Sequence, residues 1–166
     1  HPRLPVETAP FEKGLYGATE LFVEGYLHLH DCGVLKRRAF DDIETQRRAD
    51  AGELSPEDYA QGALMHAGFL FGCNRFYERL RQLPPGDRRA FRMTRIGYTN
   101  HLYGNEELKR AQRPHARFIN TAMMATLLGA AASDTLEDGR VVSGVGGQYN
   151  FVAQAHELEG GRSILN

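Results

Sequence analysis

Residues 63–71, Ala-Leu-Met-His-Ala-Gly-Phe-Leu-Phe, form a nearly continuous apolar run between Gly62 and Gly72. Its short length and flanking glycines favour a buried strand, with a buried helical segment as the alternative. Immediately afterwards the period changes. Over 74–83, Phe76, Tyr77, Leu80 and Leu83 fall on one side of a helix, and Pro84-Pro85-Gly86 ends it. A buried strand that feeds an amphipathic helix leaves few alternatives to an α/β arrangement. The remaining runs agree: 90–94, 117–122 and 140–143 read as strands, 148–157 as a helix and 162–165 as the opening of another strand. Asp138-Gly139 is a turn signal before the third of these strands. Strands alternating with helices predict a layered α/β domain.

The N-terminal part is less regular. Pro2, Pro5 and Pro10 mark residues 1–13 as an extended lead-in. From Thr19 the spacing of Leu21, Phe22, Tyr26 and Leu29 predicts a helix, with Thr19 as its N-cap and Gly33 as its stop. Residues 36–58 are strongly polar and read as a solvated excursion. Within it, Ser55-Pro56-Glu57-Asp58 has a cap, a proline at the first helical position and acids in the first turn.

Composition excludes several classes. The 166 residues are 42% hydrophobic and 25% charged, which fits one soluble globular domain and not a disordered or fibrous chain. A net charge of −1 argues against broad nucleic-acid binding. No apolar run reaches the roughly 18 residues of a membrane helix. Cys32 and Cys73 form no Cys-x-x-Cys pair and read as buried, reduced thiols, with a disulfide as the alternative. His28 and His30 are the only close histidine pair. On a helix they diverge by about 200°, so the reading expects no metal. The arginines at 79, 81, 88, 89, 92 and 95 read as a solvated face, with a phosphate site as the alternative. The start at His1-Pro2 and the end just after an apolar run read as cut ends of a longer protein.

Two segments invite a chemical reading. In Val141-Val142-Ser143-Gly144-Val145-Gly146-Gly147-Gln148, an apolar strand runs into three glycines and then a helix. Such glycines permit positive φ and close approach of a ligand, and N–H groups at the helix start face an anion. The spacing departs from the dinucleotide fingerprint, and the Lys-Ser/Thr of a P-loop is missing. A functionless tight turn is the alternative. The second segment is Gly17-Ala18-Thr19-Glu20-Leu21-Phe22-Val23-Glu24-Gly25. A glycine-flanked, largely apolar setting makes Glu20 a candidate nucleophile or base. The alternative is an acid favoured by a helix dipole.

Taken in order, Thr19-Glu20-Leu21-Phe22-Val23-Glu24-Gly25 and Ser143-Gly144-Val145-Gly146-Gly147-Gln148-Tyr149-Asn150-Phe151 resemble motifs of the acetyl-CoA hydrolase/transferase family, which includes 4-hydroxybutyrate CoA-transferases. Residues 69–83, Tyr98-Thr99-Asn100-His101 and Phe118-Ile119-Asn120-Thr121-Ala122 resemble its intervening pieces. The resemblance implies a three-layer α/β/α open sheet of the CoA-transferase type, incomplete in this chain. Residues 1–166 would be a partial C-terminal domain with a polar insertion at about 41–62, and the family's N-terminal half would be absent. Glu20 would be the catalytic nucleophile and Asn100 would support it and the reacting carbonyl. Asn120 would border the CoA arm, and Gly144, Val145, Gly146, Gly147 and Gln148 would line the thioester end.

The implied activity, assigned to the parent protein, is acyl-CoA:carboxylate CoA transfer or acetyl-CoA hydrolysis through a glutamyl intermediate. Coenzyme A would enter as acyl-CoA substrate, with a small carboxylate as acceptor, and with no metal, nucleic acid or membrane partner. The family is cytoplasmic and commonly oligomeric, so a cytoplasmic homo-oligomer of the full-length protein is expected, and the isolated chain is expected to be inactive. Glu24 and Asn150 stand where the family usually has Asp. The alternative is a non-catalytic CoA-binding or interaction domain of the same fold. A generic nucleotide binder is disfavoured by the glycine spacing.

Overall fold

The computed structural model describes residues 11–166, so most of the proline-rich lead-in lies outside the described residues. The chain forms two compact units, the first ending at Thr99 and the second spanning Asn100–Asn166.

In chain order the first unit contains β1 (Gly17–Phe22), α1 (Glu24–Asp31), α2 (Ile43–Asp50), α3 (Pro56–Tyr59), β2 (Met65–Leu70), α4 (Asn74–Gln82), α5 (Pro85–Ala90) and β3 (Phe91–Met93). Helix α6 (Ile96–Asn100) closes it and runs one residue past its end. The apolar run at 63–71 is therefore a strand, and it takes the centre of a parallel sheet in the order β1-β2-β3. Its first half, through Ala67, is buried as a central parallel strand requires, whereas Phe69, Leu70 and Phe71 at its carboxyl end are exposed. Phe22, Leu27, Met65, Phe76 and Phe91 pack together as the core of this unit. The ring of Phe22 lies 5.4 Å from Phe76 and 5.2 Å from Phe91.

The helix predicted from Thr19 is corrected. Residues 17–22 are strand, and the helix begins at Glu24 after the N-cap Val23, which makes no side-chain cap bond. Leu21 and Phe22 matched a helical stripe with Tyr26 and Leu29 by chance of spacing; pairing with β2 decides the segment instead.

The polar excursion is also more ordered than its composition suggests. Ala39 and Ala63 exchange backbone hydrogen bonds of 2.8 and 2.7 Å at its base. Gln46 on α2 is fully buried, accepts from the Phe40 N–H at 3.0 Å and donates to Asp50 at 3.1 Å. Asp42 caps α2 by accepting the Thr45 N–H at 2.8 Å. That backbone bond, with the Thr45 side chain, holds the Asp42 carboxyl below its ordinary value of 3.8. A depressed folded-state value gives stability that is present above the unfolded value and lost as pH falls through the folded one. Asp42→Ala should therefore melt at a lower temperature than the parent at about pH 7. The difference should shrink as the pH drops below about 4, as paired thermal melts would show.

The second unit contains α7 (Glu106–Gln112), β4 (Arg117–Asn120), β5 (Met124–Ala125), β6 (Ala131–Ala132), α8 (Gln148–Glu157) and β7 (Arg162–Leu165). β4 and β7 run parallel, and α8 packs against this pair through Phe118, Phe151, Ala155 and Leu158. β5 and β6 make a small antiparallel pair. The predicted turn at Asp138-Gly139 is present, with Gly139 at φ 82° and Asp138 accepting the Arg140 N–H at 3.1 Å. The strand predicted over 140–143 is corrected. It is the return arm of a loop, held by a single bridge between Thr135 and Val141. Val141 and Val142 are 71% and 48% exposed, so their β-branched side chains have no sheet face to cover.

Among the described residues, no helix is long and apolar enough to cross a membrane, and no group of three or more His, Cys, Asp or Glu could hold a metal ion.

Candidate active site

Glu20 lies in β1, two residues before its carboxyl end, and is partly buried. The register pairs Thr19 with Ala67 and Leu21 with Phe69, which sets Glu20 beside Gly68 on the central strand. Parallel partners share a face, so Glu20 and Gly68 lie on the face that His66 also presents. A Cβ on Gly68 would stand 2.0 Å from Ile96 Cδ1 and 3.2 Å from the Glu20 carbonyl oxygen, so only glycine admits Ile96 here without a shift. In open parallel sheets, ligands bind beyond the carboxyl ends of the strands, and that is the end where Glu20 stands.

The opposite face of β1, which carries Gly17 and Thr19, packs toward Tyr26. Thr19 Oγ1 donates to the Leu21 carbonyl at 3.1 Å, and burial holds the Tyr26 hydroxyl above its ordinary value of 10.0, so that phenol stays neutral. Glu24 is occupied differently: at the first turn of α1 it accepts from Arg75 at 3.2 Å and faces Arg79 at 3.7 Å. Arg79 also donates to Asp31 at 2.6 Å, and Arg92 to Asp41 at 2.7 Å. Two arginines of the basic cluster are thus engaged with carboxylates of the chain itself.

The other predicted residues are in the second unit. Asn100 ends α6 and is 4% exposed. Asn120 ends β4, and its Nδ2 is a buried donor with no hydrogen-bond partner among the described residues. A buried donor left unmatched is costly, and such groups mark places where a ligand or water completes the structure. The Ser133 hydroxyl lies 2.9 Å from the Thr121 carbonyl and is also bonded to Gln148 Oε1, which ties the start of α8 to the end of β4.

The glycine loop leads into α8 with Gly147 as N-cap and no side-chain cap bond. Gly144 has open space where a Cβ would be, and Val145 is 88% exposed. The positive φ that glycine permits is not used here: none of Gly144, Gly146 and Gly147 has it. Clearance above Gly144, and not left-handed backbone, is what the structure assigns to this loop. The loop is held from below, where the Asp134 carbonyl accepts the Val142 and Ser143 N–H groups at 2.8 and 3.3 Å.

Asn100, Asn120 and residues 144–148 thus belong to one unit, and Glu20 to the other. A hollow of about 490 Å³ in the second unit is lined by Met123, Met124, Leu136, Glu137, Asp138 and Arg140 and includes none of them. It is wide open to solvent, and its Arg140 is engaged with Asp138 at 2.6 Å, so it offers no convergent chemistry.

Lys109, Arg113 and Gln154, at 2%, 4% and 3% exposure, are among the buried polar residues that were not visible in the sequence. The available signal was the spacing of Asn150 and Gln154, one turn apart on a helix.

Residues 72–166 match the model of the acetyl-CoA hydrolase/transferase C-terminal domain. The chain belongs to the acetyl-CoA hydrolase/transferase family. That match takes in Asn100, Asn120 and the glycine loop and begins after Glu20. The chain is also similar to the crystal structure of RipA from Yersinia pestis, at 26% identity and a TM-score of 0.62, covering 91% of this chain and 28% of that one. The structure of a RipA point mutant gives 26% identity, a TM-score of 0.63 and the same coverage. The chain therefore spans little more than a quarter of the length of these neighbours. Comparison with curated proteins gives no match. The fold class read from the sequence, α/β with parallel strands and of the CoA-transferase type, is the one found. The family acts on CoA thioesters.

Proposed function

We propose that the full-length protein carrying this chain transfers CoA between carboxylates through a covalent intermediate on Glu20. The observation that carries the reading is the family match, whose span holds Asn100, Asn120 and the glycine loop in one unit. The residues fit an acyl-CoA substrate: Asn120 Nδ2 is a donor in need of an acceptor, and Gly144 leaves room for a ligand against the backbone.

In this reading a Glu20 carboxylate oxygen attacks the thioester carbonyl. The C–S bond breaks, leaving an acyl-glutamyl anhydride and CoA thiolate. The thiolate then attacks the Glu20 carbonyl carbon, the anhydride C–O bond breaks, and the first carboxylate departs. A second carboxylate reverses the sequence, takes the acyl position on CoA and frees Glu20. A carboxylate is a weak nucleophile in water, and a partly buried strand position removes some of its hydration. The Asn100 side chain and the N–H groups at the start of α8 would stabilise charge developing on the reacting carbonyl oxygen.

The test is isotope exchange in the full-length protein. Labelled carboxylate should enter the matching acyl-CoA with no second acceptor present, because the half-reaction is reversible. Release of free CoA alone would redirect the reading to hydrolysis. CoA binding without exchange or hydrolysis would overturn it in favour of a non-catalytic CoA-binding domain.

A further inference from the structure

The backbone that carries Asn100 is fastened by buried side chains. Gln154 Nε2 donates to the Asn100 carbonyl at 2.6 Å, and Gln154 Oε1 accepts from Arg113 at 2.5 Å. Lys109 Nζ donates to the carbonyls of His101 and Tyr103 at 2.6 and 3.2 Å. Asn150 Nδ2 stands 3.2 Å from His101 Nδ1. Asn150 and Gln154 are one turn apart on α8, so one face of that helix holds residues 100 and 101 while its first turn continues from the glycine loop.

Burying a lysine, an arginine and a glutamine is expensive, and an apolar core would serve stability at least as well. Such groups are retained where they hold something in place that packing alone would leave loose. We propose that Gln154 is a positioning residue. By bridging Arg113 and the Asn100 carbonyl, it sets Asn100 at a fixed distance from the start of α8 and its glycine loop. The proposal rests on the CoA-transfer reading above, in which both flank the reacting carbonyl.

Gln154→Glu separates positioning from packing. The new carboxylate still accepts from Arg113 but has no N–H for the Asn100 carbonyl. Gln154→Met keeps the shape and removes both bonds. In the full-length protein, both variants should lose at least about tenfold in kcat while KM for acyl-CoA changes less than about threefold, because displacing a catalytic group costs rate before binding. Amide exchange over residues 100–102 should speed up by about tenfold or more in both. Exchange unchanged in Gln154→Glu, kcat within about twofold of the parent, or a loss confined to Gln154→Met would overturn the proposal. If the parent protein turns over no acyl-CoA, the CoA-transfer reading fails, and the exchange measurement alone still decides whether Gln154 holds this segment.

Discussion

Glu20→Gln should lower acyl-CoA turnover by about a thousandfold or more and leave CoA affinity within about threefold. The two side chains have the same shape, so β1 and its pairing with β2 are preserved. What changes is the attacking oxygen. An amide oxygen carries no full negative charge and cannot form the anhydride, so both half-reactions stop. The prediction distinguishes a nucleophile from a binding carboxylate, whose loss would raise KM and spare kcat. Steady-state kinetics with a parallel CoA titration decides the matter. Full activity in Glu20→Gln would remove the carboxylate from the mechanism. Glu24→Gln is the control: that residue faces Arg75 and Arg79 and should keep kcat near the parent value.

The second large effect is on stability. Phe22 is 1% exposed and sits where β1 ends, in ring contact with Tyr26, Phe76 and Phe91. Truncation to alanine removes most of that buried surface and leaves a cavity whose walls belong to three different elements. Phe22→Ala should destabilise the first unit by about 3–5 kcal/mol. For a chain of this size that lowers its melting temperature by roughly 10 °C. Leu21 is the neighbouring comparison. At 43% exposure, Leu21→Ala should cost far less. Thermal or denaturant unfolding followed by near-ultraviolet circular dichroism would read both. Equal effects at the two positions would contradict the packing described for the end of β1.

Much of the fold was legible because local pattern and tertiary role agreed. The first half of the run at 63–71 is apolar because β2 is central and buried there, and 74–83 is amphipathic because α4 packs Phe76 into the core of the first unit. Gln148–Glu157 was readable as a helix following the glycines. Failures came where partners distant in sequence decide. Thr19–Phe22 carries a spacing compatible with a helix, and only pairing with β2 makes it strand. Val141-Val142 has strand propensity, but its pairing stops at a single bridge to Thr135 and its side chains stay exposed. Helix α2 looked like a solvated segment because its buried residue is a glutamine, which composition counts as polar. Helix α7 did carry a signal, with acids at Glu106 and Glu107 and bases at Lys109 and Arg110, matching a helix dipole.

The candidate site was legible as residue types and order, not as geometry. Glu20, Asn100 and the glycine loop could be named from their motifs. That Glu20 is on a strand, that the loop glycines keep negative φ and that Gln154 grips the Asn100 backbone needed the structure.

The central claim is that Glu20 forms a covalent bond during turnover. Borohydride treatment of the full-length protein with acyl-CoA reduces a glutamyl thioester to an alcohol. Peptide mass spectrometry should then show a loss of about 14 Da on the peptide carrying Glu20, absent without acyl-CoA and absent in Glu20→Gln. The same loss on a different carboxylate, or turnover with every carboxylate intact after trapping, would contradict the account.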